Sequence, residues 1–456
     1  MKYTKYLLLL LLAVSCASHQ NVRYRSRQTE IRPDAPLEVQ LPANAVVVVE
    51  EEAEEPAAIQ PVVSARPLIS QVYRAPQGTW QAAKQQALDS LCQSPLFETT
   101  QLGLYIYDLT DGQPLYAVNA AHRMRPASCQ KLVTAITALH FLKGNYQLRT
   151  DFRITGNVTA GVLNGDLCVV GGMDPLVTPD ELLQAAVTIK QQQGIERIAG
   201  NLIYDLSMRE DTPLGWGWCW DDDYGPLSAL LVDGKDTFEQ NWLEALTKVG
   251  IKILSNSPLK GEKPKASSLR GGLEGSSSVY TIRHSIDEIL EPMMKNSDNI
   301  FAECLFYQIA ASTGQKNAGH KQATQCTEEL MRCIGLEPDC YKVADGSGLS
   351  LYNYVSAEML VALLGYAWRT QAIREHLLPF LPIAGFDGTL QKRMIGTEAE
   401  GNVRAKTGTV TGVVSLAGYL TTANGHSLSF CIINQGVPSS AIGRAFQDEV
   451  CQELCR

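Results

Sequence analysis

Hydrophobic positions along the chain follow several distinct periods. Trp80 to Cys92 repeats as an amphipathic helix. Leu102 to Leu109 alternates as a strand, turns at Asp111-Gly112 and returns through Leu115 to Val118, which predicts a hairpin. From Leu132 the apolar residues Leu132, Val133, Ile136, Leu139, Phe141 and Leu142 take helical spacing, and Pro126 marks where that helix begins. The rhythm changes near Tyr146. Asp151 to Thr155 and Leu163 to Val170 predict strands, and Gly171 to Pro175 a turn. Thr178-Pro179-Asp180-Glu181 supplies a cap, a first-turn proline and early acids for a helix that runs to Gln193 and stops at Gly194; a strand follows from Ile198 to Tyr204. Another helix is expected near Phe238. Ser285-x-x-Glu288 is a capping box. Gly401 to Gln435 is strand-rich with a hairpin turn at Asn424-Gly425, and Ile442, Phe446 and Val450 stripe a last helix. The pattern predicts an α+β domain built from 79–145 and 278–456, with an α/β domain inserted over 146–277.

At 456 residues, 45% hydrophobic and 19% charged, the chain can bury a large core. A net charge of −9 with no extended basic patch excludes nucleic acid as an expected partner. Lys2 and Lys5, the apolar run Leu7 to Leu12 and the small residues after it form an export signal over 1–17. Ala13-Val14-Ser15-Cys16 resembles a lipoprotein cleavage box with Cys16 as the lipidated residue; cleavage after Ala17 is the competing reading. Residues 18–78, proline-rich with an acidic run at Glu50 to Glu55, form a flexible tether. None of the 12 cysteines lies in a Cys-x-x-Cys or Cys/His metal spacing, so no metal or cofactor is expected; Cys168, Cys304 and Cys431 are expected as small buried hydrophobes.

Candidate chemistry centres on Ser128-Cys129-Gln130-Lys131. Three residues apart on a helix, the serine hydroxyl and lysine amine share a face. A neutral Lys131 can take the hydroxyl proton, while first-turn N–H groups hold developing negative charge. Ser-x-x-Lys alone is weak, and Ser257-Pro258-Leu259-Lys260 repeats it with no helical run behind it. Two further motifs follow in order. Ser297-Asp298-Asn299 lies between two helical segments. Lys406-Thr407-Gly408 opens the strand-rich end, setting a cation and a hydroxyl on a sheet beside a glycine that admits a close ligand.

Together the three motifs are the signature of penicillin-binding proteins and serine β-lactamases. The chain resembles the class C low-molecular-mass penicillin-binding proteins, D-alanyl-D-alanine carboxypeptidases that often also act as endopeptidases. Asp345 to Ser350, Pro382 to Leu390 and Gly215 to Asp222 resemble further hallmarks, and the likeness runs from about residue 80 onward. It implies the penicillin-binding-protein/β-lactamase-like fold, exported to the periplasm or cell envelope. It implies acyl transfer on peptidoglycan stem peptides ending in D-Ala-D-Ala, with β-lactams as inhibitors. Ser128 would be the nucleophile, Lys131 the base and Ser297 a proton relay. Asn299 would orient Lys131 and substrate; Lys406, Thr407 and Thr409 would hold the terminal carboxylate. The N–H groups of Ser128 and Thr409 would form the oxyanion hole, and Asp222 would pair with a side-chain amine of the substrate. The chain passes from Val232 almost directly to the helix near Phe238, which implies that the family's third, β-rich domain is missing or vestigial. A serine β-lactamase and an inactive peptidoglycan-binding homologue are the alternatives, and the inserted domain argues against the first.

Overall fold

The computed structural model describes residues 74–222, 225–254 and 275–456. The signal, most of the tether and Ser257 to Lys260 lie outside the described residues.

In chain order the elements are α1 (Trp80–Cys92), β1 (Gln101–Asp108), β2 (Gln113–Val118), α2 (Gln130–Leu142), β3 (Gln147–Ile154), β4 (Asn157–Thr159), β5 (Val162–Asn164), β6 (Leu167–Val170), α3 (Pro179–Gln193), β7 (Arg197–Ile198), β8 (Leu202–Asp205) and α4 (Phe238–Lys248). After them come β9 (Lys252–Ile253), β10 (Ser277–Ser285), α5 (Ile286–Lys295), α6 (Asn299–Ala311), α7 (His320–Cys333), α8 (Ala357–Arg369), α9 (Gln371–Leu377), β11 (Arg404–Val410), β12 (Val413–Thr421), β13 (Ser427–Gln435) and α10 (Ser440–Cys455).

An antiparallel sheet of order β11-β12-β13-β1-β2 separates two cores. Leu102, Leu104 and Ile106 of β1 pack with Phe446 and Val450 of α10 and Leu88 of α1. Tyr105 and Tyr107, one residue out of step, join the core of α2, α6 and α8. The alternation in Leu102 to Leu109 is therefore aliphatic against aromatic, one core against the other, rather than core against water. Ile442 is 46% exposed, so only Phe446 and Val450 of the predicted C-terminal stripe reach the core. Helix α2 is buried on nearly every side, from Gln130 through Leu139, because the sheet, α6 and α8 surround it.

The inserted region carries two small mixed sheets, β10-β3-β6-β8 and β4-β5-β7-β9, around a core that includes Phe152, Leu182, Ile189, Phe238 and Trp242. Two strands expected to be continuous are each divided between these sheets. Leu163 to Val170 becomes β5 and β6, and Ile198 to Tyr204 becomes β7 and β8. The crossing points touch: Gly200 N–H donates to Gly165 O at 3.2 Å and Asn201 N–H to Asp166 Oδ1 at 2.8 Å. Gly200 has no room for a Cβ against Gly165 and Asp166. Strand β10 pairs with β3 through Ser285, which carries the insertion's sheet beyond residue 277. The capping box at Ser285/Glu288 forms as expected, and the expected cap at Thr178 is part of a second box closed by Glu181. Among the described residues no disulfide forms, and Cys168, Cys304 and Cys431 are buried.

Candidate active site

The nucleophile candidate sits on a bend. Ala127 takes φ 47, a strained left-handed conformation for a residue with a side chain, and a 3-10 turn over Ala127–Cys129 then leads into α2. Strand β11 runs beside this turn. A Cβ at Gly408 would stand 2.7 Å from Pro126 O and 2.9 Å from Ser128 N. The glycine of Lys-Thr-Gly thus admits the serine's own backbone, a closer neighbour than the ligand expected there.

Lys131 is fully buried in the first turn of α2. Its Nζ donates to Ser128 Oγ at 3.1 Å, Asn299 Oδ1 at 2.5 Å and Ser347 O at 2.8 Å. Burial lowers its pKa from 10.5 to about 8, while the charges of Asp345, Glu303 and Asp298 oppose the fall. Asp298 caps α6, accepting from the N–H groups of Ile300 and Phe301, and so places Asn299 in the first turn facing Lys131. Ser297 precedes the cap at φ 63, and its hydroxyl accepts from Lys406 Nζ at 2.8 Å.

Lys406 is also fully buried. Its second hydrogen bond goes to its neighbour's carbonyl, Thr407 O, at 2.8 Å. Burial and then the charge of Lys131 lower its pKa from 10.5 to about 7. The repulsion between the two buried lysines thus bears on Lys406. The Thr407 hydroxyl donates to Thr389 Oγ1 at 2.7 Å, and Arg444 of α10 donates to Thr409 Oγ1 at 3.2 Å. Strand alternation puts Thr407 and Thr409 on one face of β11, opposite to Lys406 and Gly408. Asp222 joins none of these bonds; its carboxylate accepts from Cys219 N–H at 2.7 Å and closes a turn.

Beneath Lys131 lies a set of residues that motif spacing did not assign. Asp345 is buried and accepts five hydrogen bonds, from Trp218 Nε1, Ser347 Oγ, Gly348 N, Ser350 N and Asn353 Nδ2. Glu303 Oε1 accepts from the N–H groups of Gly346 and Ser347, both at 2.9 Å, and burial pushes its carboxyl up to about 8. These two acids fold the 345–350 loop so that Ser347 O faces Lys131. An acid inside the apolar run Ala302 to Ala311 was the available signal for Glu303.

The profile of the D-Ala-D-Ala carboxypeptidase 3 (S13) family matches residues 84–241 and 281–454, more than half of the chain. The chain belongs to that family. It is a serine-type peptidase of the class C low-molecular-mass penicillin-binding proteins. Among its relatives, the D-alanyl-D-alanine carboxypeptidase DacB of Haemophilus influenzae is 26% identical over 73% of this chain and 85% of its own length. The D-alanyl-D-alanine carboxypeptidase of Actinomadura sp. is 26% identical over 80% of this chain and 83% of its own. The crystal structure of penicillin binding protein 4 (dacB) from H. influenzae shares the fold at TM-score 0.68 and 24% identity, covering 81% of this chain and 98% of that one. That protein has also been solved complexed with a novel β-lactam. No helix among the described residues is long and apolar enough to cross a membrane.

Proposed function

We propose that the protein is a serine D-alanyl-D-alanine carboxypeptidase and endopeptidase acting on peptidoglycan stem peptides and cross-links, and that β-lactams acylate it at Ser128. One observation carries the reading. A buried amine whose pKa is lowered to about 8 lies 3.1 Å from the Ser128 hydroxyl, so near neutral pH it is poised to accept that proton.

In the first half-reaction Ser128 Oγ bonds to the carbonyl carbon between the two D-alanines as its proton passes to Lys131. The tetrahedral oxyanion rests on the backbone N–H groups of Ser128 and Thr409. Collapse breaks the C–N bond. The departing amine takes a proton through Ser297, whose oxygen already accepts from Lys406 and whose own proton is thereby free to be given. Water, deprotonated in turn by Lys131, then cleaves the ester and restores Ser128. Lys406, Thr407 and Thr409 hold the terminal carboxylate, and the arriving anion returns Lys406 to its charged state. Asn299 keeps Lys131 aimed, and Asp222 reads an amine on the substrate side chain.

We assign 79–145 and 278–456 to the peptidase domain and 146–277 to the insertion, whose edge strand β10 runs on to Ser285, and take the third, β-rich domain as missing or vestigial. In support of the last, Val232 and Lys235 pair in a tight turn just before α4. The export signal and a lipid on Cys16 would hold the enzyme at the periplasmic or envelope face. Intact mass after exposure to benzylpenicillin tests the function. A stable adduct on the peptide containing Ser128, absent from Ser128→Ala, is expected. Undiminished labelling of Ser128→Ala overturns the assignment, and rapid release of hydrolysed penicillin makes the protein a β-lactamase.

A further inference from the structure

Trp218 is a buried side chain at which the inserted region meets the peptidase site. Trp218 is 8% exposed, while Trp216 and Trp220 on either side are 39% and 90% exposed. Its indole Nε1–H donates to Asp345 Oδ2 at 2.9 Å. The same oxygen accepts from Ser347 Oγ at 3.0 Å and Ser350 N at 2.8 Å. Ser347 in turn offers its carbonyl to Lys131 Nζ at 2.8 Å. The backbones are interlocked as well, because a Cβ at Gly217 would collide with Ser350 Oγ and the Tyr352 ring.

We infer that Trp218 is a positioning residue for acylation: acting through Asp345 and the Ser347 carbonyl it fixes the Lys131 amine, so the inserted region completes the general base that the flanking segments carry. The inference rests on the carboxypeptidase reading and extends it to how the site is assembled.

Two physical consequences follow from the N–H group. It orients Asp345, and with it the loop that presents Ser347 O. It also draws off part of the negative charge that Asp345 directs at Lys131. The ionisable groups around Lys131 are Cys129 on its own turn, Asp298 and Glu303 from α6, Asp345 from the loop and Lys406 from β11. Removing the donor leaves Asp345 a stronger anion, which favours the protonated amine. The free-base fraction at neutral pH falls, and the acid limb of the acylation profile moves to higher pH.

The test uses the full chain with two variants. Trp218→Phe keeps an aromatic ring without the donor. Replacement of Trp218 by benzothienylalanine keeps the shape of the indole with sulfur in place of N–H, so folding is not in question. In both, acylation by benzylpenicillin and D-alanine release from a stem peptide are expected to slow about tenfold, seen in kcat with KM nearly unchanged. The acid limb should rise in pH in step. If the benzothienylalanine variant acylates with benzylpenicillin at the wild-type rate and with the wild-type pH profile, the inference is wrong. Slowing confined to the stem peptide would also overturn it, since that places Trp218 at the substrate rather than behind the base. Wild-type protein that neither reacts with penicillin nor releases D-alanine would instead refute the carboxypeptidase reading.

Discussion

Lys131 and Lys406 are both fully buried, yet their surroundings are opposites. The helical side of the site surrounds Lys131 with Asn299, a backbone carbonyl and the field of three acids. The sheet side gives Lys406 a serine hydroxyl and its neighbour's carbonyl, and among the causes of its shift no carboxylate supports its charge. A buried cation with counter-charges is complete in itself and holds its geometry when substrate is absent. A buried cation without one is a vacancy for an anion. The difference separates a base that must be aimed from a clamp that must be filled.

The largest effect is expected from Lys131→Ala. Loss of the base should slow acylation about a hundred- to ten-thousandfold at saturating substrate, read as the rate of penicillin adduct formation. Lys406→Ala should behave differently and weaken binding of carboxylate-bearing substrates by about 2–5 kcal/mol, raising KM as well as slowing acylation. Should the two variants show the same kinetic defect, the contrast between the lysines collapses.

Glu303→Gln sharpens the contrast without removing either lysine. Glutamine keeps an oxygen for the N–H groups of Gly346 and Ser347 and resembles the neutral acid that a carboxyl pushed up to about 8 presents below that pH. Little negative charge is lost over the acid limb of acylation, which should move down by less than about half a pH unit. A downward shift of a full unit would show that Glu303 is ionised at neutral pH and supports the charged form of Lys131. The smallest effect belongs to Asp222→Ala, expected to lower activity about two- to fivefold on stem peptides with a free side-chain amine and to spare acylation by a simple penicillin. Equal loss on both substrates would remove Asp222 from substrate recognition.

The two halves of the site were not equally legible in the sequence. Ser128, Lys131, Ser297, Asn299 and Lys406 belong to short motifs with fixed spacing, and the structure brings them into two hydrogen-bonded groups, Ser128–Lys131–Asn299 and Ser297–Lys406. Helix ends were legible for the same local reason, since Thr178 and Ser285 cap helices with partners three residues away. Contacts made across the chain were not. Asp345 meets Trp218 from another part of the fold, and no periodicity connects them. Strand division in the insertion failed to register because Gly165 and Gly200 interrupt their runs only by meeting each other. The contact of Thr409 with Arg444 of α10 was equally silent in the motif, because the two meet only in the folded chain.

The central sheet also bears on how the protein forms. Its middle pairing joins β1 to β13, with Leu104 opposite Ile432, so a strand made early waits for one made almost last. Loop closure over such a distance is entropically costly, and folds rich in these pairings are slow. Until β13 arrives, β1 and β2 have only each other, and an isolated hairpin is barely stable in water. During synthesis the nascent chain therefore exposes Leu102, Leu104 and Ile106 for an extended interval, a window in which it depends on holding factors and is prone to aggregate. Polypeptides cut short before Ser427 should remain in that condition and be cleared by proteases, whatever the integrity of their first three hundred residues.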